Sequence, residues 1–563
     1  MRGIDAFLEM LAAAGVRYLF GNPGTTELPL CDAMTGDSRL QYILGLQEIP
    51  VMAMADGYAM ASGKLGVVNV HICAGLGNAM GMLYNSYRSG TPLLLTAGQQ
   101  DRRLQFEEPI LWGDMIGVVR PWTKWAVEVQ RVEDIPSAMR RAMQMALTPP
   151  TGPVFLSIPL DLQTASAELD LSLSNPPDPE VLPSPAAVDR AVEVLLSAAR
   201  PGILVGSRVI ERGAVKELVA VAEQLGAPVL SEPGTTHGRL GFPSDHPLYA
   251  QGLPLWSPEI RERLQEFDTL LVVGMDLFRP YIYHEPARAM PEHIRLVHLD
   301  EDPYQLGKNY PLAAALLGST KGGLAALAAG LSRRMTAAQN GAARRRADEL
   351  AARHRQARES LCREAEAQRN LRPLTPLAAM ECIARVLPKN VAVVEEAVTT
   401  TNTTLERLGA IGDPSGYFGH RGWALGWGLG CAIGVQLAWP ERPVLALLGD
   451  GASLYGIQGL WTAARYRIPV TFVIFNNAQY QILKIGSRMM NLPAANAGRF
   501  LGMDITEPEV DFLGLARSLS VPAVRVTELD DLTERLSKSL AGDQPQLIEV
   551  PIARDVQERL TYG

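Results

Sequence analysis

Short runs of uninterrupted apolar residues recur along this chain, each separated from the next by a stretch with helical periodicity. The first segment opens on an amphipathic helix with Ile4, Phe7, Leu8 and Leu11 on one face; Gly15 ends it and a strand follows over 16–20. Further strands read at 42–46, 67–72, 92–97 and 154–158, with helices over 50–61 and 77–89 between them. A strand that is apolar at every position is buried on both faces, as in parallel sheets covered by helices on each side. The pattern therefore predicts an α/β fold of doubly wound parallel sheets and excludes sandwiches and helix bundles.

The same rhythm continues downstream. Pro176, Pro177, Pro179, Pro183 and Pro185 mark a linker. A second unit follows, with a helix over 187–199 and strands at 202–205, 228–230, 269–273 and 296–299. Residues 333–369 hold ten arginines among alanines, interspersed with Asp348, Glu349, Glu359, Glu364 and Glu366. Such mixed charge reads as a solvated connector helix rather than an RNA-binding arm. A third unit carries strands at 391–395, 444–448, 471–475 and 546–550. The expected organisation is a first domain over 1–172, a central Rossmann-like domain over 186–330, a helical connector over 331–372 and a third domain over 373–563.

Composition narrows the class. Lys plus Arg number 52 against 60 Asp plus Glu, a net charge of −8, which leaves no basic footprint for nucleic acid or an anionic membrane. The five cysteines form no CxxC pair, which argues against a disulfide framework or structural zinc and fits a reducing cytoplasm. Asp5 and Glu9 interrupt the apolar N-terminus, so no signal peptide reads there. The longest apolar run, 423–439, contains four glycines and Gln436. It falls short of the ~20 residues of a membrane helix and reads as a glycine-rich turn entering a buried helix. The chain is expected to be soluble.

The strongest chemical signal lies in the third unit. A strand ends in Gly449-Asp450-Gly451-Ala452-Ser453 and a helix follows; the next strand ends in Asn476-Asn477. Glycines let backbone approach a diphosphate, and a helix N-terminus supplies free N–H groups. Asp450 and Asn477, leaving the carboxyl ends of neighbouring parallel strands, would converge where α/β sheets bind ligands. Their oxygens suit a hard cation that keeps phosphate in its shell. A bare GDG is weak; an Asn 27 positions after the Asp makes it specific.

This pair of motifs resembles the GDG…NN signature of the thiamin diphosphate (ThDP) enzymes. The resemblance implies that Asp450, the Asn477 side chain and the Gln479 carbonyl hold Mg2+, with Gly449, Gly451, Ala452, Ser453 and Tyr480 around the cofactor. Glu48, in ILGLQEIPVMAMADGYA, would alone read as a first-turn helix residue. Its surroundings change that. The runs FGNPGTTELP (20–29), VHICAGLGNAMG, TPLLLTAGQQ, AIGVQLA, PERPV, LWTAA and FVIFNNAQY are similar to the benzoylformate decarboxylase group over nearly the whole chain.

By that resemblance the first domain binds the pyrimidine end of ThDP and the third its diphosphate. The activity implied is non-oxidative decarboxylation of a 2-oxo acid. Glu48 matches the glutamate that activates the cofactor, and His71 an active-site histidine used in proton transfer. Thr25 replaces a serine facing the substrate carboxylate. Leu425 matches the residue propping the cofactor, Thr399 and Thr400 fall near the diphosphate anchor, and Trp423 takes the place of a glycine whose carbonyl binds the aminopyrimidine. His284, in LFRPYIYHEP, is the candidate second histidine. His420 stands where the family has none and reads as an extra acid/base or, more simply, a loop residue. Ile482, Gly486 and a long loop over 487–509 depart from the decarboxylase pattern and alter the wall facing the substrate side chain.

The same motifs serve a carboligase of the acetolactate synthase type, or a 2-hydroxyacyl-CoA lyase with Arg279 facing a phosphate. A flavin or nicotinamide site in the central domain is disfavoured, because GILVGSRVIERGA carries only part of GxGxxG. In the resembled family the two ends of the cofactor are held by different subunits, which implies a homodimer at least and, as a pair of dimers, a homotetramer.

Overall fold

The computed structural model of the chain describes residues 1–36, 38–175, 178–232 and 238–556. Pro176 and Pro177 of the expected linker lie outside these. The described residues form three six-stranded sheets in which every paired strand runs parallel. The first contains β1 (Tyr18–Asn22), β2 (Gln41–Leu44), β3 (Gly66–Val70), β4 (Leu93–Gln99), β5 (Trp125–Glu128) and β6 (Val154–Pro159), in the order β2-β1-β3-β4-β6-β5. The central sheet contains β7 (Pro201–Val205), β8 (Val229–Ser231), β9 (Tyr249–Gly252), β10 (Thr269–Val273), β11 (Arg295–Asp300) and β12 (Ala314–Leu317), ordered β12-β11-β10-β7-β8-β9. The third contains β13 (Ala392–Glu396), β14 (Tyr417–Phe418), β15 (Val444–Gly449), β16 (Val470–Asn476), β17 (Ala523–Arg525) and β18 (Gln546–Pro551), ordered β14-β13-β15-β16-β18-β17.

The third sheet thus repeats the strand order of the first. In each, the chain reverses direction across the sheet between its first and third strands, so β1/β3 and β13/β15 are the switch points where ligands bind. The predicted alternation holds, with five strands added: β5, β9, β12, β14 and β17. All five are edge strands.

One apolar cluster stays within the first domain and one within the central domain, but the two largest cross between sheets. One cluster runs from Phe20, Val70 and Phe155 of the first sheet through Trp427 to Leu448 and Phe472 of the third. Another runs from Val205 and Leu271 of the central sheet through Leu350 to Leu447 and Phe475 of the third. Leu350 lies on the helix Ala337–Ala367, a 31-residue element that buries only Ala343, Leu350, Leu361 and Ala365. The arginines of this region are accordingly mostly solvated.

The glycine-rich run is a helix, Trp427–Ala438, buried on nearly every side. It crosses the helix Glu48–Ser62 of the first domain at backbone contact. A Cβ on Gly430 would lie 2.7 Å from the Ala53 Cβ and 2.8 Å from the Pro50 carbonyl oxygen. Where the helices meet, the Trp427 indole N–H donates to Asp56 Oδ2 (2.6 Å), and burial pushes the Asp56 carboxyl up. Among the described residues no helix is long and apolar enough to cross a membrane.

At the central switch point, between β7 and β10, Arg208 fills the crevice and pairs with Asp300 (2.8 Å) and Asp276 (3.0 Å). Arg421 of the third domain reaches in to Asp276 (3.2 Å) and Glu232 (3.3 Å). Against its burial, Arg421, Arg208 and Arg279 hold the Asp276 carboxyl well below the usual range.

Candidate active site

The first-domain half is built at the ends of β1 and β3. Glu48 is the first residue of its helix, with Gln47 as N-cap. Its carboxylate is buried and bracketed by two amides: Asn22, at the end of β1, donates to Oε1 (3.2 Å) and Asn78 to Oε2 (3.0 Å). His71 lies just past β3 as the N-cap of the helix Ile72–Ser89, rather than within the strand as the sequence pattern predicts. Its Nδ1 is 2.7 Å from Glu27 Oε2. A carboxylate can only accept, so Nδ1 carries the proton and Nε2 is the ring's free nitrogen.

Glu27 accepts three further bonds, from the Thr26 hydroxyl (2.8 Å), Gly98 N–H (2.9 Å) and Gly24 N–H (3.1 Å). A Cβ on Gly24 would run into the His71 ring, so bare backbone packs on the imidazole. Thr25 is exposed, whereas its neighbour Thr26 is buried and lies 3.2 Å from His71 Nδ1.

The third-domain half occupies the ends of β13, β15 and β16. Asp450 Oδ1 accepts the Gly451 N–H (2.8 Å). Its Oδ2 is buried and has no hydrogen-bond donor. Burial pushes this carboxyl up to about 6 against the backbone N–H groups of Gly451, Ala478, Asn477 and Gln479. A buried carboxylate oxygen without a donor fits a hard cation. Asn477 Oδ1 accepts from Gln479 N–H (3.1 Å). The bridge between Gln479 and Asp504 is closed by Tyr480 N–H to the Met503 carbonyl and Ile505 N–H to the Ala478 carbonyl, so it leaves the Gln479 carbonyl unused.

Gly451 must lack a side chain because a Cβ there would sit 2.6 Å from the Tyr480 ring. The Ser453 hydroxyl turns back onto the Gly449 and Asp450 carbonyls (2.9 Å each). Thr399 and Thr400, on the turn after β13, line a cavity of about 430 Å³ with Arg407, Gln481 and Asp555.

The two halves meet through residues 423–426. Ala424 exchanges two hydrogen bonds with the buried Asn85 side chain of the first domain (2.8 and 3.0 Å). Trp423 sits at φ +63°, and Leu425 is half-buried. The central domain joins them there: the Tyr281 ring lies 5.1 Å from that of Trp423 and 5.6 Å from that of Trp256, and His284 meets Trp256 edge-on at 5.4 Å. The loop predicted to bring a second histidine therefore does reach the third domain. Ile485 is buried in the same apolar cluster, with Ile482 partly buried against it.

Residues 1–111, 188–327 and 398–550 match, in that order, the N-terminal TPP binding, central and C-terminal TPP binding domains of the thiamine pyrophosphate enzymes. Benzoylformate decarboxylase of Pseudomonas aeruginosa is 34% identical over 552 residues, covering 97% of this chain and 98% of that protein. The chain belongs to the thiamine pyrophosphate enzyme family. The structure of a thiamine diphosphate-dependent 4-hydroxybenzoylformate decarboxylase from Rhodococcus jostii RHA1 superposes with a TM-score of 0.86 at 31% identity, over 99% of this chain and 100% of that one. A probable acetolactate synthase large subunit of Methanocaldococcus jannaschii is 27% identical over 98% of this chain and 92% of its own length.

As a thiamine pyrophosphate enzyme, this chain has site residues that its sequence reading passed over. Glu27 is one, and a signal existed: a Glu three residues after the residue that precedes a helical turn can cap its N–H, as Glu27 does for Gly24 at 3.1 Å, though glycine has no side chain to return the bond. Asn78 and Asn85 carry no local signal, since an Asn on a helix is indistinguishable from a solvated one without its partner. Glu396 is another; it lies just past the strand read over 391–395 and is the last residue of β13.

Proposed function

We propose that this chain carries out ThDP- and Mg2+-dependent non-oxidative decarboxylation of a 2-oxo acid with a bulky apolar, benzoylformate-like side chain, releasing an aldehyde and CO2. The observation that supports this reading is the presence, at the switch points of two like sheets, of a buried Glu48 in one and of a buried Asp450 oxygen that lacks a donor in the other. In the proposed assignment Asp450, Asn477 and the Gln479 carbonyl hold the metal, and Thr399, Thr400 and the N–H groups of 449–453 hold the diphosphate. Bound ThDP supplies the electron sink for the bond to the departing CO2.

The chain's own residues do the rest. Glu48, oriented by Asn22 and Asn78, holds a proton at the aminopyrimidine ring. His71, its tautomer fixed by Glu27, moves protons at Nε2 to and from the substrate-derived carbon. Thr25 faces the substrate carboxylate and His284 is the second proton carrier. The apolar surface of Trp256, Tyr281, Trp423 and Ile482 excludes water, which favours loss of a charged carboxylate as neutral CO2.

The test is a panel of 2-oxo acids with ThDP and Mg2+, following CO2 and organic products together. Aldehyde and CO2 in equal amounts support the reading; a 2-hydroxy ketone would make the enzyme a carboligase, and no turnover of any 2-oxo acid would refute both. Glu48→Gln should lower kcat at least about 100-fold. Retained activity in that variant would overturn the role given to Glu48.

We further propose a homotetramer built as a pair of dimers. Phe106 and Ile110 of the first domain are 96% and 82% exposed, an apolar surface suited to a second copy of the chain. Light scattering checks the mass. Five cysteines without a disulfide fit a cytoplasmic location.

A further inference from the structure

The segment 422–428 is held by side chains from three directions, and one of them is a residue with no part in the assignment above. Trp423 adopts a left-handed backbone, φ +63°, which a bulky side chain takes only when its surroundings impose it. Its N–H donates to His420 Nδ1 at 2.9 Å. Because Nδ1 accepts this bond, the neutral ring carries its proton on Nε2, and Nε2 lies 3.7 Å from Glu396 Oε1.

Glu396 in turn accepts the N–H groups of Gly426 (3.0 Å), Trp427 (3.0 Å) and Gly428 (2.9 Å). His420 is 2% exposed, its ring centroid 5.2 Å from that of Trp427. Burial pushes the imidazole down to about 3, so it stays neutral and its Nδ1 stays an acceptor throughout the working pH range.

We propose that His420 is a positioning residue: its Nδ1 pins the Trp423 N–H, holds residue 423 left-handed, and so sets the direction of the carbonyl that this segment offers to the aminopyrimidine. The inference rests on the reading that residues 423–426 line the cofactor. His420 never touches substrate or cofactor; it acts through one backbone bond.

Two substitutions separate this role from packing. His420→Asn places Oδ1 where Nδ1 lies and keeps the acceptor; His420→Leu keeps bulk and removes it. Two readouts are taken on the full chain. The first is hydrogen exchange at the Trp423 amide without cofactor, and the second is ThDP affinity from tryptophan quenching. In His420→Leu we expect protection to be lost and ThDP affinity to fall about tenfold; His420→Asn should restore both to within about threefold of the parent.

A Trp423→Gly background adds an independent arm. Glycine adopts positive φ without strain, so the Leu substitution should cost less affinity there than in the parent. Unchanged protection in His420→Leu, or an equal penalty in the two backgrounds, would overturn the proposal. Lost protection with unchanged ThDP affinity would also overturn it by removing the cofactor from the segment, while leaving the decarboxylase reading on Glu48 and Asp450.

Discussion

Gly430→Ala sets two effects of known size against each other. Alanine in a helix interior is favoured over glycine by roughly 0.5–1 kcal/mol. At this site, however, the added Cβ would stand 2.7 Å from the Ala53 Cβ and 2.8 Å from the Pro50 carbonyl oxygen. Ordinary carbon contacts lie near 3.5–4.0 Å, so the helices must part by about 1 Å. Neither neighbour is a flexible side-chain tip that could swing away. Overpacking of this kind costs about 1–3 kcal/mol, which outweighs the gain in propensity.

The variant should therefore be less stable than the parent by about 1–2 kcal/mol. Function should suffer more, because Pro50 lies on the first turn of the helix that Glu48 begins. A displacement near 1 Å at a reacting group costs on the order of 100-fold in rate. Urea unfolding followed by tryptophan fluorescence measures the first effect and decarboxylation kcat the second. A Gly430→Ala protein more stable than the parent, with unaltered kcat, would show that the helices are not in backbone contact and refute the reasoning.

Two further outcomes follow from the site. Glu27→Gln replaces an acceptor of four donors with a group that also donates, so an amide N–H must face another N–H; kcat should drop about 10–100-fold while the fold survives, as judged by circular dichroism. Wild-type turnover would mean that the His71 tautomer is set elsewhere. Asp450 is raised to about 6 by burial, so Mg2+ must displace a proton below that pH, and the half-saturating Mg2+ concentration should rise up to about tenfold per pH unit toward acid. Calorimetric titrations at pH 7.5 and 5 check it; equal affinities would exclude Asp450 as a ligand.

How much of this was legible depends on where a residue sits in its sheet. Central strands are covered on both faces and announce themselves as apolar runs, as β3, β4 and β15 do. Most edge strands do not: β14 has two residues and every residue of β5 is only half-buried, although the edge strand β2 was read over 42–46. A pattern read from burial misses what is not fully buried. The residues proposed to hold the metal stood out because adjacent strand ends place Asp450 and Asn477 together at a fixed sequence interval. Asn85 to Ala424 and Glu396 to Gly426 were not, since those partners meet only when separate elements pack. His71 was misplaced by one element because Val70 and Ile72 on either side of it are apolar and extend the strand's pattern.

The two large apolar clusters that ignore the sheet boundaries bear on how the molecule comes apart. One face of the third sheet shares its apolar cluster with the first domain and the other face with the central one. Cut out alone, the third domain would keep its own helices over the sheet but bare the apolar helix Trp427–Ala438 where the helix Glu48–Ser62 now covers it. Truncations at the linkers should aggregate rather than yield autonomous folding units. Under heat or denaturant the third sheet, the one without a private cluster among the described residues, should unfold together with its neighbours, whereas the first and central domains each keep a cluster wholly their own.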